Sequence, residues 1–271
     1  GGVRDQKRRA MCTPFDEESV DIIVDVGFDI LKIASCSAAE WPLLEQAAAS
    51  NLPIICSTGG LGQAAIDDLY SFFFHRGANF AFMHCVSIYP TPPDMLNLNQ
   101  IAAMAARHPQ CTIGWSTHEE PDNLGAVQVA YAKGARIFER HVGATTDTIQ
   151  LNAYSSTAEQ VDRWIASWRQ AKDMCGGDER PPVPEVERDS ILSLQRGVFA
   201  REPLKKGTKL SRDLVYFAMP CQDGQISSGN WNGKLTLSED VDVNGAVFAA
   251  AVEPVPDRPE VVIKRSIHEV K

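Results

Sequence analysis

The sequence predicts an α/β protein: a parallel sheet covered on its outside by helices up to about residue 175, then a small, mostly β module. Three observations point there. Short apolar runs alternate with amphipathic runs of helical length. Successive apolar runs end in hydroxyls, glycines or histidines, as strands do when their carboxyl ends build a ligand site. From Cys175 the chain turns into Gly176-Gly-Asp-Glu-Arg-Pro-Pro-Val-Pro-Glu185, a charged, turn-rich connector.

Taken in order, a short strand at 10–13 leads into Pro14-Phe15-Asp16. The run 17–26 puts Val20, Ile22, Ile23 and Val26 on one helical stripe, and Gly27 supplies the stop. Strand 29–35 and helix 38–50 follow, then strand 53–57 and helix 63–76, then strand 80–86, a proline-rich loop and helix 98–107. Residues 111–118, 125–133 and 136–143 read as strand, helix, strand, and the helix is long enough to make the two strands parallel. Both strands end in a histidine, so His118 and His141 emerge at one edge of the sheet. A last helix at 158–174 carries Val161, Trp164, Ile165 and Trp168 at helical spacing, as expected for packing against a sheet.

That makes six strand-helix units, whereas a closed (β/α)8 TIM barrel needs eight. The expectation is a partial barrel over 1–175 whose first two units are missing from this chain. A start at Gly1-Gly2-Val3 without methionine fits a processed product or a fragment. The predicted organisation continues with a linker at 176–189, a β module at 190–256 built on runs 196–200, 213–218 and 246–251, and a charged tail at 257–271.

The totals exclude some classes. A formal charge of -9, from 26 basic against 35 acidic residues, argues against a nucleic-acid partner while leaving room for a local pocket for a small anion. No apolar run reaches membrane-spanning length and no signal peptide is visible, so no membrane partner is expected. The 7 cysteines are single and odd in number. Five of them, Cys12, Cys36, Cys56, Cys85 and Cys111, lie in or beside strand-like runs, where buried free thiols are expected. That pattern fits a reducing cytoplasm better than a disulfide scaffold.

The aligned strand ends are Thr13-Pro-Phe-Asp16, Lys32-Ile-Ala-Ser35, Ser57-Thr-Gly-Gly60, His84-Cys-Val-Ser-Ile-Tyr-Pro-Thr-Pro92, Ser116-Thr-His118 and Glu139-Arg-His141. Lys32 falls where a parallel strand is buried, which is costly unless its amine meets an anion, reacts, or snorkels to solvent. Ser57-Thr58-Gly59-Gly60 can aim hydroxyl and backbone N–H donors at an anion, although such turns also serve as plain connectors. Two imidazoles at one rim read as a metal or substrate pair; nitrogen ligands favour manganese, cobalt or zinc over magnesium. Together the set suits a phosphorylated, carboxylated small molecule.

In their order and spacing these motifs resemble the N-acetylneuraminic acid (sialic acid) synthase family, including its spore coat polysaccharide biosynthesis relatives, over about Met11 to Met174. The trailing module resembles the SAF, or antifreeze-like, domain that the family carries. The resemblance implies a TIM-barrel transferase that condenses phosphoenolpyruvate with an N-acylated amino sugar to give a nonulosonic acid and phosphate. It implies a divalent metal, commonly manganese or magnesium, on His118 and His141, phosphoenolpyruvate contacts at Thr13, Lys32, Ser57 and Ser116, and pocket positions at Ser87 and Tyr89. It assigns catalysis to Lys32, His118 and His141, and implies a homodimer.

The chain also departs from the pattern. The glutamate usual in K-I-A/G-S-x-E is Ser37 here, preceded by Cys36, and the aspartate of R-x-G-P-D is replaced at Leu151 or Asn152. Asp147 and Glu119 are the candidate substitutes. The family's first two strands carry a phosphate-binding lysine and a sugar-binding glutamate, and neither strand is in this chain. In the SAF-like part, the frequent R-P-G reads Met219-Pro-Cys221. Two other readings stand beside the synthase: a Schiff-base aldolase using Lys32, and a diverged, non-catalytic binder of sugar phosphates.

Overall fold

A computed structural model describes residues 6–254. The chain divides into two compact units, Gly1–Gly177 and Asp178–Lys271.

In the first unit, six parallel strands follow one another in sheet order: β1 (Met11–Cys12), β2 (Ile30–Ile33), β3 (Ile54–Ser57), β4 (Phe80–Cys85), β5 (Thr112–Thr117) and β6 (Phe138–Arg140). Helices α1 (Glu17–Val26), α2 (Trp41–Ala49), α3 (Gln63–His75), α4 (Asn99–Arg107) and α5 (Leu124–Ala132) connect them, and α6 (Ala158–Cys175) follows β6. The sheet is a curled half-barrel of six strands, matching the number of units read from the sequence. Its two faces differ sharply. One carries Leu31, Ile33, Ile54, Cys56, Phe82, Ile113 and Trp115, all buried in a single apolar cluster with Leu43, Leu69, Phe73, Ile101 and Val127 of the helices. Each such side chain contributes roughly 1.5–3 kcal/mol by leaving water, which holds the helices to this face. Because side chains alternate along a strand, the intervening residues Lys32, Ser57, Cys85, Ser116 and Glu139 face the other way. The register lines up Cys85, Ser116 and Glu139 across β4, β5 and β6.

Local chemistry sets the boundaries. Asp16 caps α1 through the Ser19 N–H at 2.7 Å, and Gly27 ends it at φ 78°. Helix α2 starts later than expected: Ser35–Ser37 form a 3-10 turn first, and Pro42 occupies the first helical turn. Helix α6 opens on a capping box of Thr157 and Gln160, and its Trp164 and Trp168 pack edge-on against Phe138. Of the expected α1 stripe only Val20 and Ile23 are buried, while Ile22 and Val26 lie exposed on the far side.

In the second unit, α7 (Glu185–Leu194) begins inside the expected 176–189 linker. Pro184 stands at its N-cap, and Glu185 and Glu187 complement the positive end of the helix dipole. β7 (Gly197–Ala200) and β8 (Val215–Ala218) pair antiparallel, as do β9 (Leu235–Leu237) and β10 (Val252–Pro254). Val198, Leu204, Leu210, Val215, Ile226, Leu237 and Val247 form the core of this unit. Residues 249–251, expected to be extended, form a 3-10 turn instead. The predicted tail at 257–271 lies outside the described residues.

All seven cysteines are free. Cys56 and Cys111 are buried, with thiols pushed up to about 12 and about 11 by desolvation, and Cys85 is buried as well. Two expectations are corrected. Cys36 is exposed, because the 3-10 turn after β2 swings it off the core, and Cys12 is only half-buried on its two-residue strand. Cys221, not among the five, is buried in the second unit.

Candidate active site

At the carboxyl ends of the strands lies a cleft of about 550 Å³. Thr13 follows β1, Lys32 lies within β2, Ser57 ends β3, Ser87 and Tyr89 follow β4, Ser116 lies in β5 and His118 just after it, and His141 follows β6; all eight line this cleft. Ser35, Cys36, Gly59, Cys85 and Glu139 complete the floor, with Phe15 at its side.

Lys32 is 5% exposed and does not snorkel. Its ammonium donates to Ser57 Oγ at 2.6 Å and to the Ile33 carbonyl at 3.1 Å, and Glu139 Oε2 stands 3.5 Å away. A cation held among two neutral acceptors and one half-exposed carboxylate is suited to exchange that carboxylate for an anionic ligand. The Ser57–Gly60 turn works differently from expectation. The Thr58 N–H is taken by the Met83 carbonyl and the Gly59 N–H by Ser35 Oγ, so these donors bind the protein itself. Gly59 is needed for close approach: a Cβ there would stand 2.6 Å from Ser87 Oγ and 2.7 Å from Ser35 Oγ.

The two imidazoles are neighbours, with ring centroids 5.2 Å apart. His118 Nδ1 lies 2.9 Å from the Val86 carbonyl, so Nδ1 carries the proton and Nε2 keeps its lone pair. Burial lowers the pKa of both rings, and for His141 the neighbouring His118 adds to the shift, so both are neutral near pH 7. A fixed tautomer, depressed basicity and a carboxylate nearby fit a divalent metal; among the described residues no cluster of three or more His, Cys, Asp or Glu ligands forms, so a metal here would keep most of its coordination positions for other oxygens.

Of the carboxylates considered from sequence, Glu119 does not line this cleft. It is 1% exposed and pairs with Arg140 Nη1 at 2.5 Å. The carboxylate in the cleft is Glu139. Its signal was present in the sequence, since Glu139 lies two residues before His141 in the run read as a strand, and both line the cleft. Arg140, pointing away, also binds Ser156 Oγ, while the Ser156 N–H donates to the His141 carbonyl at 2.9 Å and the Gly143 N–H to the Ser156 carbonyl at 3.0 Å. Tyr154, which the sequence reading passed over, closes a ring cluster at 5.0 Å from Tyr89 and 5.1 Å from His141.

Fold and cleft together define an α/β, barrel-type protein whose strand ends form a cleft that holds a buried lysine, hydroxyls and paired imidazoles. The chain belongs to the NeuB family, whose model matches residues 3–180. It is 43% identical to the crystal structure assigned as a spore coat polysaccharide biosynthesis protein E from Chromobacterium violaceum, with a TM-score of 0.88 over 93% of this chain and 75% of that one. It is 32% identical to an uncharacterised protein of Methanocaldococcus jannaschii, over 77% of this chain and 61% of the relative. It is 28% identical to the spore coat polysaccharide biosynthesis protein SpsE of Bacillus subtilis, over 79% and 61%. Other relatives are named N-acetylneuraminate-9-phosphate synthase in Homo sapiens and N,N'-diacetyllegionaminic and pseudaminic acid synthases in Campylobacter jejuni. The chain thus spans about three fifths of the curated relatives it matches, at 61% of the first two. A likeness at 14% identity and TM-score 0.55 to a Thermotoga maritima aldolase, the DAHP synthase, covering 64% of this chain and 53% of that one, concerns the fold alone.

Proposed function

We propose that this protein is a sialic acid synthase-like transferase that condenses phosphoenolpyruvate with an N-acylated amino sugar, releasing phosphate. One observation carries the reading: Lys32, Ser57 and Ser116 share a single cleft with the paired imidazoles of His118 and His141, in a chain that counts named synthases among its relatives. Lys32, with Ser57 and Ser116 beside it, supplies charge and hydroxyl donors for a phosphate or carboxylate, and Thr13 lies on the same floor. His118 and His141 would hold the divalent metal, manganese in preference to magnesium on ligand chemistry, with cobalt or zinc as alternatives. When bound it would polarise the sugar aldehyde. Carbon 3 of phosphoenolpyruvate then attacks that aldehyde, water adds at carbon 2, and phosphate leaves with C–O cleavage. Ser87 and Tyr89 supply further pocket positions for the substrates.

The contacts around Lys32 favour a fixed cation over an amine freed to form a Schiff base, since two acceptors and a carboxylate already surround it. The second unit is proposed as the SAF-like domain, and the whole as a cytoplasmic homodimer; in the described residues no helix is long and apolar enough to cross a membrane. The test is phosphate release from phosphoenolpyruvate with N-acetylmannosamine and related sugars. Release is expected to require added manganese and to vanish in His118→Ala and His141→Ala. No release with any amino sugar would reject the synthase, and trapping by borohydride without metal would establish the aldolase instead.

A further inference from the structure

We propose that Arg140, Glu119 and Ser156 form a positioning clamp, buried behind the wall of the cleft, that sets the spacing of the His118 and His141 imidazoles. The spacing is a property of the protein alone; its consequence for a divalent metal rests on the reading of the two histidines given above.

The strand ladder stops short of the histidines. It pairs Trp115 with Phe138, Ser116 with Glu139 and Thr117 with Arg140, and both histidines lie one residue beyond that last pair. Past the ladder the link between the two strand ends continues through side chains. Arg140 donates through Nη1 to Glu119 Oε1 at 2.5 Å and through Nη2 to the Glu119 carbonyl at 3.4 Å, which ties the residue before His141 to the residue after His118. Its Nε donates to Ser156 Oγ, and the Ser156 N–H donates to the His141 carbonyl at 2.9 Å. One guanidinium thus grips the His118 strand end with two nitrogens and the His141 segment with the third. The loop after β4 fixes His118 from the other side: the Val86 carbonyl accepts from its Nδ1 at 2.9 Å, and the Thr91 N–H donates to its carbonyl at 3.0 Å.

Burial makes the clamp stiff. The Glu119 and Arg140 side chains are 1% and 3% exposed, Ser156 is fully buried, and the Trp164 ring lies 5.8 Å from Arg140 Cζ. Pulling the strand ends apart would leave buried charges without partners, so this pair resists separation far more than an exposed one does. The planar fork matters too, because a lysine would carry the charge without the fixed directions in which the guanidinium meets its three acceptors. Two imidazoles that share a metal at about 2.1 Å each must hold their ligating nitrogens roughly 3–3.5 Å apart. Such a set works only when held to within about 0.5 Å. The two ring centroids are 5.2 Å apart, and His141 itself is exposed, so its placement depends on the grip on its backbone.

The test uses the intact, histidine-labelled protein and two readouts: the nuclear Overhauser contact between the two imidazoles without metal, and manganese affinity by electron paramagnetic resonance. Wild type is expected to show the ring contact. Arg140→Met/Glu119→Leu should lose it and bind manganese about 10–100-fold more weakly. This double variant leaves no buried charge unpaired, so its urea midpoint should stay near wild type and the lost contact reports spacing rather than unfolding. Ser156→Ala, with the ion pair intact, should weaken both readouts about threefold, and Glu119→Gln, which keeps an acceptor for Arg140, should stay within about twofold of wild type. Absence of ring contact in wild type overturns the clamp. So does unchanged ring contact in the folded double variant, or in Ser156→Ala where the double variant does not fold. A Glu119→Gln protein no better than the double variant overturns it as well. The expected pattern of ring contacts in a protein that takes up no manganese rejects the metal reading and leaves the clamp standing.

Discussion

Replacing Arg140 by methionine probes how the sheet edge holds the cleft. The Arg140 and Glu119 side chains are 3% and 1% exposed and meet at 2.5 Å. Burial drives the Glu119 pKa upward, while Arg140 first, then the backbone at Glu119 and more weakly His118, pull it back. In Arg140→Met the carboxylate stays buried with its partner gone, and Glu119 Oε2 already lacks a hydrogen-bond partner. Breaking a buried pair in this way costs about 3–5 kcal/mol, a fall in melting temperature of roughly 6–20 °C for a unit of this size. The double variant Arg140→Met/Glu119→Leu removes both charges and should recover most of that loss. The pH dependence has a definite sign. With its folded pKa raised, Glu119 is less costly when protonated, so the gap between wild type and Arg140→Met should narrow as pH falls through that pKa. Urea unfolding of the four proteins of the cycle at pH 7 and pH 5 measures all of this. A loss below about 1 kcal/mol in the single variant, or a double variant no better than the single, would show that the pair is not the clamp described here. Because Arg140 also anchors Ser156, which binds the His141 backbone, the single variant should lose metal affinity beyond its loss of stability.

Other outcomes follow from the same geometry. His84 is buried with Nε2 2.8 Å from the Leu96 carbonyl, and burial lowers its pKa; the unfolded chain takes up that proton first, near pH 6.5, so the urea midpoint should fall between pH 7.5 and 5.5, and a flat profile would refute this. Manganese at 100 times its Kd should stabilise the protein by about 2.7 kcal/mol, and His118→Ala or His141→Ala should abolish the shift in melting temperature. Gly59→Ala should cost about 1–3 kcal/mol through overpacking and weaken phosphoenolpyruvate binding, because Ser35 and Ser87 must move; calorimetry with the variant would test it. Iodoacetamide mapping should label exposed Cys36 and Cys175 while sparing Cys56 and Cys111, and phosphoenolpyruvate should protect Cys36 alone, since Cys36 lines the cleft.

The six-strand order was legible because each strand's apolar face and each helix's stripe repeat at their own periods, and a parallel connection needs a helix of about that length. The positions of Lys32, Ser57, Ser116, His118 and His141 were legible for the same reason: strand ends of a parallel sheet lie on one rim. Where the reading failed, the cause was a competing local or tertiary force. Ile22 and Val26 are apolar yet face outward, since the stripe fixes a face only to within the neighbours available to cover it. Cys36 left the core because a 3-10 turn, not a continued strand, follows Ile33.

The sequence by itself thus determined the sheet, its order and the edge at which chemistry sits, because those depend on alternation and on chain reach. Only the tertiary structure decided which carboxylate faces the lysine, that Glu119 serves Arg140 instead, and that Tyr154 joins the imidazoles. Those choices depend on pairings between residues far apart in the chain, which no period along it records.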